Sequence, residues 1–213
     1  DLKCIIVMPS SMAIERRKLI KDYNAELVLV DGGMKECVLK ANEIQSKTFN
    51  SIVVGQFDNE SNVKAHYLTT GKEILNDLPN TDVIIAGIGT GGTIVGVSKY
   101  VKEHNKNILI IGFEPKQSPL ITEGYSNSHK IQGIGANFIP SIFKKDDIDK
   151  IMLVDDNDAI NTSKELLRKE SLHLGISSGA GLHIALSLAK LESYKGKNIV
   201  VICPDSGERY TWN

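Results

Sequence analysis

Short runs rich in β-branched residues punctuate the chain at residues 4–8, 26–30, 51–54, 82–86, 108–113, 150–154 and 198–203. Between them lie longer stretches of helical period at residues 12–23, 34–47, 63–75, 92–104, 157–169 and 179–191. That alternation predicts an α/β fold in which a parallel sheet is covered by helices. The runs are apolar nearly throughout rather than alternating, as expected of strands with both faces covered. In the last helical stretch Leu182, Ala185, Leu186 and Ala189 fall on one side and Lys190 on the other, which predicts the buried face. Residues 116–145 hold several Gly, Ser, Pro and Asn with little periodicity and read as a long loop region, of the kind that is usually functional. The sequence contains no internal repeat and no low-complexity tract.

Composition narrows the function classes. An apolar fraction of 41% over 213 residues is enough to bury a core in one large domain or two small ones. Lys+Arg of 25 against Asp+Glu of 26 leave a net charge of -1, so there is no field to draw the chain to nucleic acid or an acidic membrane. A small-molecule partner is favoured instead. Cys4, Cys37 and Cys203 cannot all pair and have no metal-ligand spacing, which argues against a disulfide framework and a zinc site. Cys4 and Cys203 sit in runs that read as buried strands, where a free thiol packs. No apolar stretch approaches the length of a membrane span, and the first residues do not form a basic region followed by an apolar one, so a cytoplasmic location is expected.

The chemistry concentrates in a glycine loop. Gly87-Ile88-Gly89-Thr90-Gly91-Gly92 satisfies GxGxxG between a predicted strand and a predicted helix, and Glu114 ends the next strand, which together fit a dinucleotide fingerprint. Any phosphate ligand would use the same physics, because glycines admit close approach and the amides of a helix N-terminus point at the anion. Thr90 and Thr93 add hydroxyl donors that suit a compact monoester dianion better than a pyrophosphate. The motif also follows at least three βα units, whereas a dinucleotide fold carries it in the first. A tight glycine turn with no ligand is the bland alternative. Two more small-residue segments, Gln132-Gly133-Ile134-Gly135-Ala136 and Ile176-Ser177-Ser178-Gly179-Ala180, are predicted at strand ends or helix starts, the edge where open sheets bind ligands. Ser177 or Ser178 reads equally well as a plain helix N-cap. His66, His104, His173 and His183 show no ligand pattern, and Arg16-Arg17-Lys18 reads as a solvated helix face.

The order of motifs resembles the cysteine synthase (O-acetylserine sulfhydrylase) family of fold-type-II pyridoxal phosphate enzymes. The strings that carry the resemblance are Met8-Pro9 with Ile14-Glu15-Arg16-Arg17-Lys18, Gln56-Phe57-Asp58-Asn59, Thr69-Thr70-Gly71, Gly89 to Thr93, Glu114-Pro115, Ser118-Pro119, His129 to Ala136, Ile176 to Ala180, and Ser206-Gly207-Glu208-Arg209-Tyr210. They run in family order along the whole chain. The resemblance implies doubly wound parallel sheets in a three-layer αβα arrangement of the tryptophan synthase β-like type. It implies that residues 1–60 are the remainder of a small N-terminal domain and residues 61–213 a large cofactor-binding domain.

It also implies roles. Gly89, Thr90, Gly91, Gly92 and Thr93 would cradle the phosphate of pyridoxal 5'-phosphate, and Ser177 would hydrogen-bond the pyridine nitrogen, leaving it largely unprotonated. Gln56 would help hold the substrate carboxylate, and the backbone at Gly133 and Gly135 would face the substrate amino group or the leaving group. His129 would order its loop. The implied reaction is β-replacement, in which O-acetyl-L-serine exchanges acetate for sulfide and becomes L-cysteine. Cystathionine β-synthase, cysteine desulfhydrase and lanthionine formation are sibling activities, and Asn137, where many cysteine synthases have glycine, is a departure near the ring. A non-catalytic module that binds cofactor or partner is the alternative outside enzymes. The resemblance implies a homodimer and a serine acetyltransferase partner whose C-terminal tail enters the cleft, with no nucleic acid or membrane partner. The family's Ser-x-Lys-Asp-Arg segment, with its Schiff-base lysine, and its Thr-Ser-Gly-Asn-Thr-Gly loop do not occur in the 213 residues. The expectation is therefore an N-terminally truncated chain, inactive alone, since that lysine is also the proton shuttle at the α carbon. At the other end Thr211-Trp212-Asn213 departs from the family continuation.

Overall fold

The computed structural model describes residues 2–12 and 14–210, apart from the side chain of Arg209. Asp1, Ala13 and the departing residues Thr211, Trp212 and Asn213 lie outside the described residues.

Two parallel sheets organise the chain. β1 (Ile5–Pro9) pairs with β2 (Glu26–Val30) in register Ile5 to Glu26, with α1 (Ile14–Asp22) between them and α2 (Met34–Lys47) following. The larger sheet has the order β5-β4-β3-β6, from β3 (Val83–Gly87), β4 (Leu109–Pro115), β5 (Lys150–Val154) and β6 (Ile199–Val201). α3 (Glu60–Leu68), α4 (Thr70–Asp77) and α5 (Gly92–His104) belong to one face of the larger sheet, and α7 (Asp156–Glu170) and α8 (Ile176–Ala189) to the other. The two-residue period of β3 shows this directly. Ile84 and Ala86 pack with Ile94, Val97 and Val101 of α5, whereas Val83 and Ile85 pack with Ala180, Ile184 and Leu188 of α8.

The alternating α/β pattern and most predicted elements stand, and the differences have local causes. Residues 51–54 form no strand: among the described residues they have no ladder partner, and Ile52 is 88% exposed. The helix expected at 63–75 is two, broken at Thr69, which caps the end of α3 and begins α4. A Cβ on Gly71 of α4 would stand 2.9 Å from Tyr100 Cβ, so this glycine lets α4 lie close on α5. α8 is apolar on nearly all sides, which hides its inner face from a period argument. Ala180, Ile184 and Leu188 are buried while Leu186 is 56% exposed, so the predicted face was misplaced. Full burial holds for the inner strands β3 and β4 but not for β2, where Leu29 is exposed. Cys4 and Cys203 fall just outside their strands and are exposed, contrary to the buried-strand expectation, while Cys37 on α2 is buried. Arg17 is not simply solvated, since it donates to the carbonyl oxygens of Met12 and Ser10 and ties down the turn before α1.

Candidate functional site

The strand order reverses beside β3. The chain adds β4 and then β5 on one side of it, and β6 on the other. Open α/β sheets form their ligand crevice where the order reverses, outside the carboxyl ends of the strands. The chain that leaves β3 at this point is Ile88-Gly89-Thr90-Gly91, which runs into α5.

Close packing requires the glycines here. A Cβ on Gly89 would collide with the carbonyl oxygen of Gly133, and one on Gly92 with the Asn62 side chain. Gly91, the N-cap residue of α5, has φ 86°, a left-handed conformation that side chains other than glycine adopt at a cost. Together they leave the amides of Gly89, Thr90, Gly91 and Thr93 without a protein acceptor among the described residues. Unsatisfied amides converging at the positive end of a helix dipole make an anion site. Both loop threonines are held from α3. Asn62 Nδ2 donates to Thr90 Oγ1 at 3.0 Å, and His66 Nε2 lies 3.1 Å from Thr93 Oγ1.

The other small-residue segments meet the same edge. Gly135 donates its amide to the Ile88 carbonyl at 3.0 Å, so the loop of Gly133 (φ 91°) and Gly135 (φ 65°) lies directly against the first glycine loop. His129 Nε2 lies 3.2 Å from the Gly135 carbonyl oxygen, where it orders that turn. α8 begins at Ile176, earlier than its period suggested, so Ser177 and Ser178 occupy its first turn. Gly175, not a serine, is the N-cap. The Gly175 amide donates to Asp205 O at 3.0 Å, which fixes this helix start beside the segment leaving β6. Ser177 is 4% exposed, and among the described residues its hydroxyl has no protein partner. Gln56 is exposed, and its carbonyl accepts from the same Asn62 amide nitrogen that holds Thr90, at 2.9 Å. Gln56, the two glycine loops and the α8 N-terminus thus gather at one sheet edge.

Glu114 does not serve that edge. It is 1% exposed, and its carboxylate accepts from the amides of Ile121 (2.8 Å) and Thr122 (2.9 Å) and from the Thr122 hydroxyl (2.6 Å). It holds the single turn α6 (Leu120–Glu123) inside the region read as a loop, and both carboxylate oxygens are engaged there. This removes the acidic half of the dinucleotide fingerprint.

Asn137 has a place that spacing does not reveal. Its Oδ1 accepts from the Lys35 amide (2.9 Å) and its Nδ2 donates to Glu36 Oε2 (3.2 Å), which also accepts from the Gly33 amide (2.8 Å). The residue clasps the start of α2 to the Gly133–Gly135 loop. The Gly33 amide, then Glu36's own amide and Asn137, hold the Glu36 carboxyl below its ordinary value. The clasp is therefore complete above the ordinary carboxylate pKa and loosens as pH falls through the lowered one.

The free amides and hydroxyls of the glycine loop fit a phosphate, and Ser177 adds a buried hydroxyl at the same edge. The chain's relatives supply the rest. Residues 1–205 match the family model described as "Pyridoxal-phosphate dependent enzyme". Cysteine synthase B of Campylobacter jejuni is 51% identical over 212 residues, covering 98% of this chain and 70% of that protein. Cysteine synthase A of Escherichia coli K12 is 44% identical over 220 residues, with 98% and 68% covered. The crystal structure of a hydrogen sulfide-producing enzyme from Fusobacterium nucleatum superposes with a TM-score of 0.94 at 44% identity, covering 98% of this chain and 72% of that one. The chain belongs to the pyridoxal-phosphate dependent enzymes of fold type II, and its relatives there are cysteine synthases.

Proposed function

We propose that this chain forms the cofactor-binding body of a cysteine synthase, which replaces the acetate of O-acetyl-L-serine with sulfide to give L-cysteine. The observation that carries the reading is the nest of free amides and oriented hydroxyls from Gly89 to Thr93, at the sheet edge that also gathers Gln56, Gly133, Gly135 and Ser177. Pyridoxal phosphate, when bound, supplies the electron sink that stabilises negative charge developing at the substrate α carbon.

The chain's own groups do the holding. Gly89, Thr90, Gly91, Gly92 and Thr93 would hold the phosphate dianion at the carboxyl edge of the sheet. Ser177 would donate a hydrogen bond to the ring nitrogen without protonating it, since a hydroxyl is too weak an acid, and so would temper the ring as an electron sink. Gln56 takes the substrate carboxylate, and the Gly133 and Gly135 backbone lines the side from which acetate leaves. The lysine that moves the α proton is not among the 213 residues.

Residues 1–60, with the two-stranded sheet, would be the remainder of the small domain and residues 61–213, with the four-stranded one, the large cofactor-binding domain, with Asn137 bonding across from one to the other. A homodimer, a cytoplasmic location and docking of a serine acetyltransferase tail complete the proposal. Among the described residues no helix is long and apolar enough to cross a membrane.

The test joins this chain to the lysine-bearing Ser-x-Lys-Asp-Arg and Thr-Ser-Gly-Asn-Thr-Gly type segments of the cysteine synthase family. With pyridoxal phosphate, O-acetylserine and sulfide, the joined protein is expected to form cysteine, and the 213-residue chain alone to form none above the free-cofactor rate. A joined protein that shows the bound-cofactor absorbance yet only releases sulfide from cysteine would shift the reading to a desulfhydrase. The name of the Fusobacterium neighbour makes that the second activity to assay.

A further inference from the structure

The α3 residues Asn62 and His66 are four apart, on one face of the helix, and each reaches a different hydroxyl of the phosphate loop. Thr90 Oγ1 already accepts twice, from Asn62 Nδ2 at 3.0 Å and from the Gly92 amide at 3.3 Å. With both lone pairs engaged, the Thr90 proton has no acceptor among the described residues and is left for a ligand. His66 is set in the same way from its far side. Its Nδ1 lies 2.9 Å from Thr70 Oγ1 and its Nε2 lies 3.1 Å from Thr93 Oγ1. Partial burial pushes its imidazole below the ordinary histidine value, which keeps the ring neutral at pH 7.

A neutral imidazole has one donor and one acceptor nitrogen, so the two threonines cannot be treated alike. If Thr70 donates to Nδ1, the proton sits on Nε2 and is donated to Thr93, whose own hydroxyl proton is then free for an anion. The opposite tautomer would take the Thr93 proton and turn lone pairs toward a dianion.

We propose that Asn62 and His66 are positioning residues that lock both threonine hydroxyls as donors toward the phosphate, with the dianion's need for donors favouring the Nε2–H tautomer of His66 and Thr70 then donating to its Nδ1. The proposal rests on the reading of Gly89 to Thr93 as the cofactor-phosphate site. It adds a layer that acts on the anion only through Thr90 and Thr93.

The experiment measures pyridoxal phosphate and inorganic phosphate affinity by titration, alongside histidine ¹⁵N NMR of the purified protein. H66L and T93V are each expected to weaken both ligands by about three- to tenfold, the range of one hydrogen bond. H66L/T93V is expected to bind no more weakly than T93V, because His66 acts through that hydroxyl. H66Q, which can place an amide N–H near the Nε2 position, is expected to recover part of the loss. The wild-type spectrum is expected to show the Nε2–H tautomer when phosphate is bound. That readout stands even if H66L proves unfolded by circular dichroism. Additive losses in the double variant, or an Nδ1–H tautomer in the phosphate complex, would overturn the inference while leaving the site in place. Wild-type protein that binds neither ligand would overturn the site and the inference together.

Discussion

Replacing Gly89 by alanine is expected to reduce pyridoxal phosphate affinity by at least two orders of magnitude while leaving a folded protein. The added Cβ would collide with the Gly133 carbonyl oxygen, and neither partner is the movable end of a side chain. Relief requires the two glycine loops to separate. They are pinned by the Gly135 amide on the Ile88 carbonyl, so separation breaks that 3.0 Å bond and re-aims the amides of the nest. Overpacking of this kind costs about 1–3 kcal/mol. The larger effect falls on the ligand, because the nest loses several charge-assisted hydrogen bonds together. Absorbance titration with the cofactor, with the thermal midpoint as control, checks it. Unchanged affinity in G89A would mean that the anion does not sit against this backbone.

The second large effect concerns stability alone. Glu114→Ala leaves the buried Ile121 amide without its acceptor, and removes the acceptor of the amide and hydroxyl of Thr122, which is itself exposed. A stranded buried donor costs about 1–3 kcal/mol, whereas the Thr122 groups can turn to water. A net loss of about 2 kcal/mol should lower the melting temperature by roughly 4–8 °C for a domain of this size. Glu114→Gln should fare little better, since an amide NH₂ would face the same donors. Cofactor affinity measured well below the melting temperature should be preserved, because no Glu114 oxygen reaches the site. A Tm within 2 °C of the parent in E114A would show that α6 is not held by this carboxylate.

The contrast between Gly89 and Glu114 also shows what the sequence could and could not reveal. Both belong to the GxGxxG fingerprint, and spacing alone assigned both to a ligand. The glycine half was legible because a tight strand-to-helix turn has few solutions, and the turn itself creates the free amides. The acidic half was not, because the partners of Glu114 lie in residues 118–123, a stretch with no period to betray a helical turn. The strands β3 and β4 and the helices α2 and α5 could be read almost to the residue. Ser51 to Val54 could not, since β-branched residues announce a preference for extended backbone but not whether a neighbour exists to pair with.

Histidine 66 is the clearest omission. A lone histidine within a helix gives no ligand pattern, and its importance comes from Thr93, 27 residues on, which only the packing of α3 against α5 brings within reach. One signal was available. Asn62 and His66 share a helix face, and the Thr69-Thr70 pair follows, a run of polar groups one helix and one strand ahead of the glycine loop. The Asn137 clasp had a weaker trace, as a bulky amide where the resemblance has glycine. Its partners at Lys35 and Glu36 are more than a hundred residues away and beyond any local argument.

A crystal structure of the protein soaked with pyridoxal phosphate tests the central claim most directly. The account predicts phosphate oxygens within hydrogen-bond distance of the amides of Gly89 to Thr93 and of both threonine hydroxyls, with the ring nitrogen at the Ser177 hydroxyl. Density for the compound anywhere else on the chain, with that turn closed over by side chains, would contradict it.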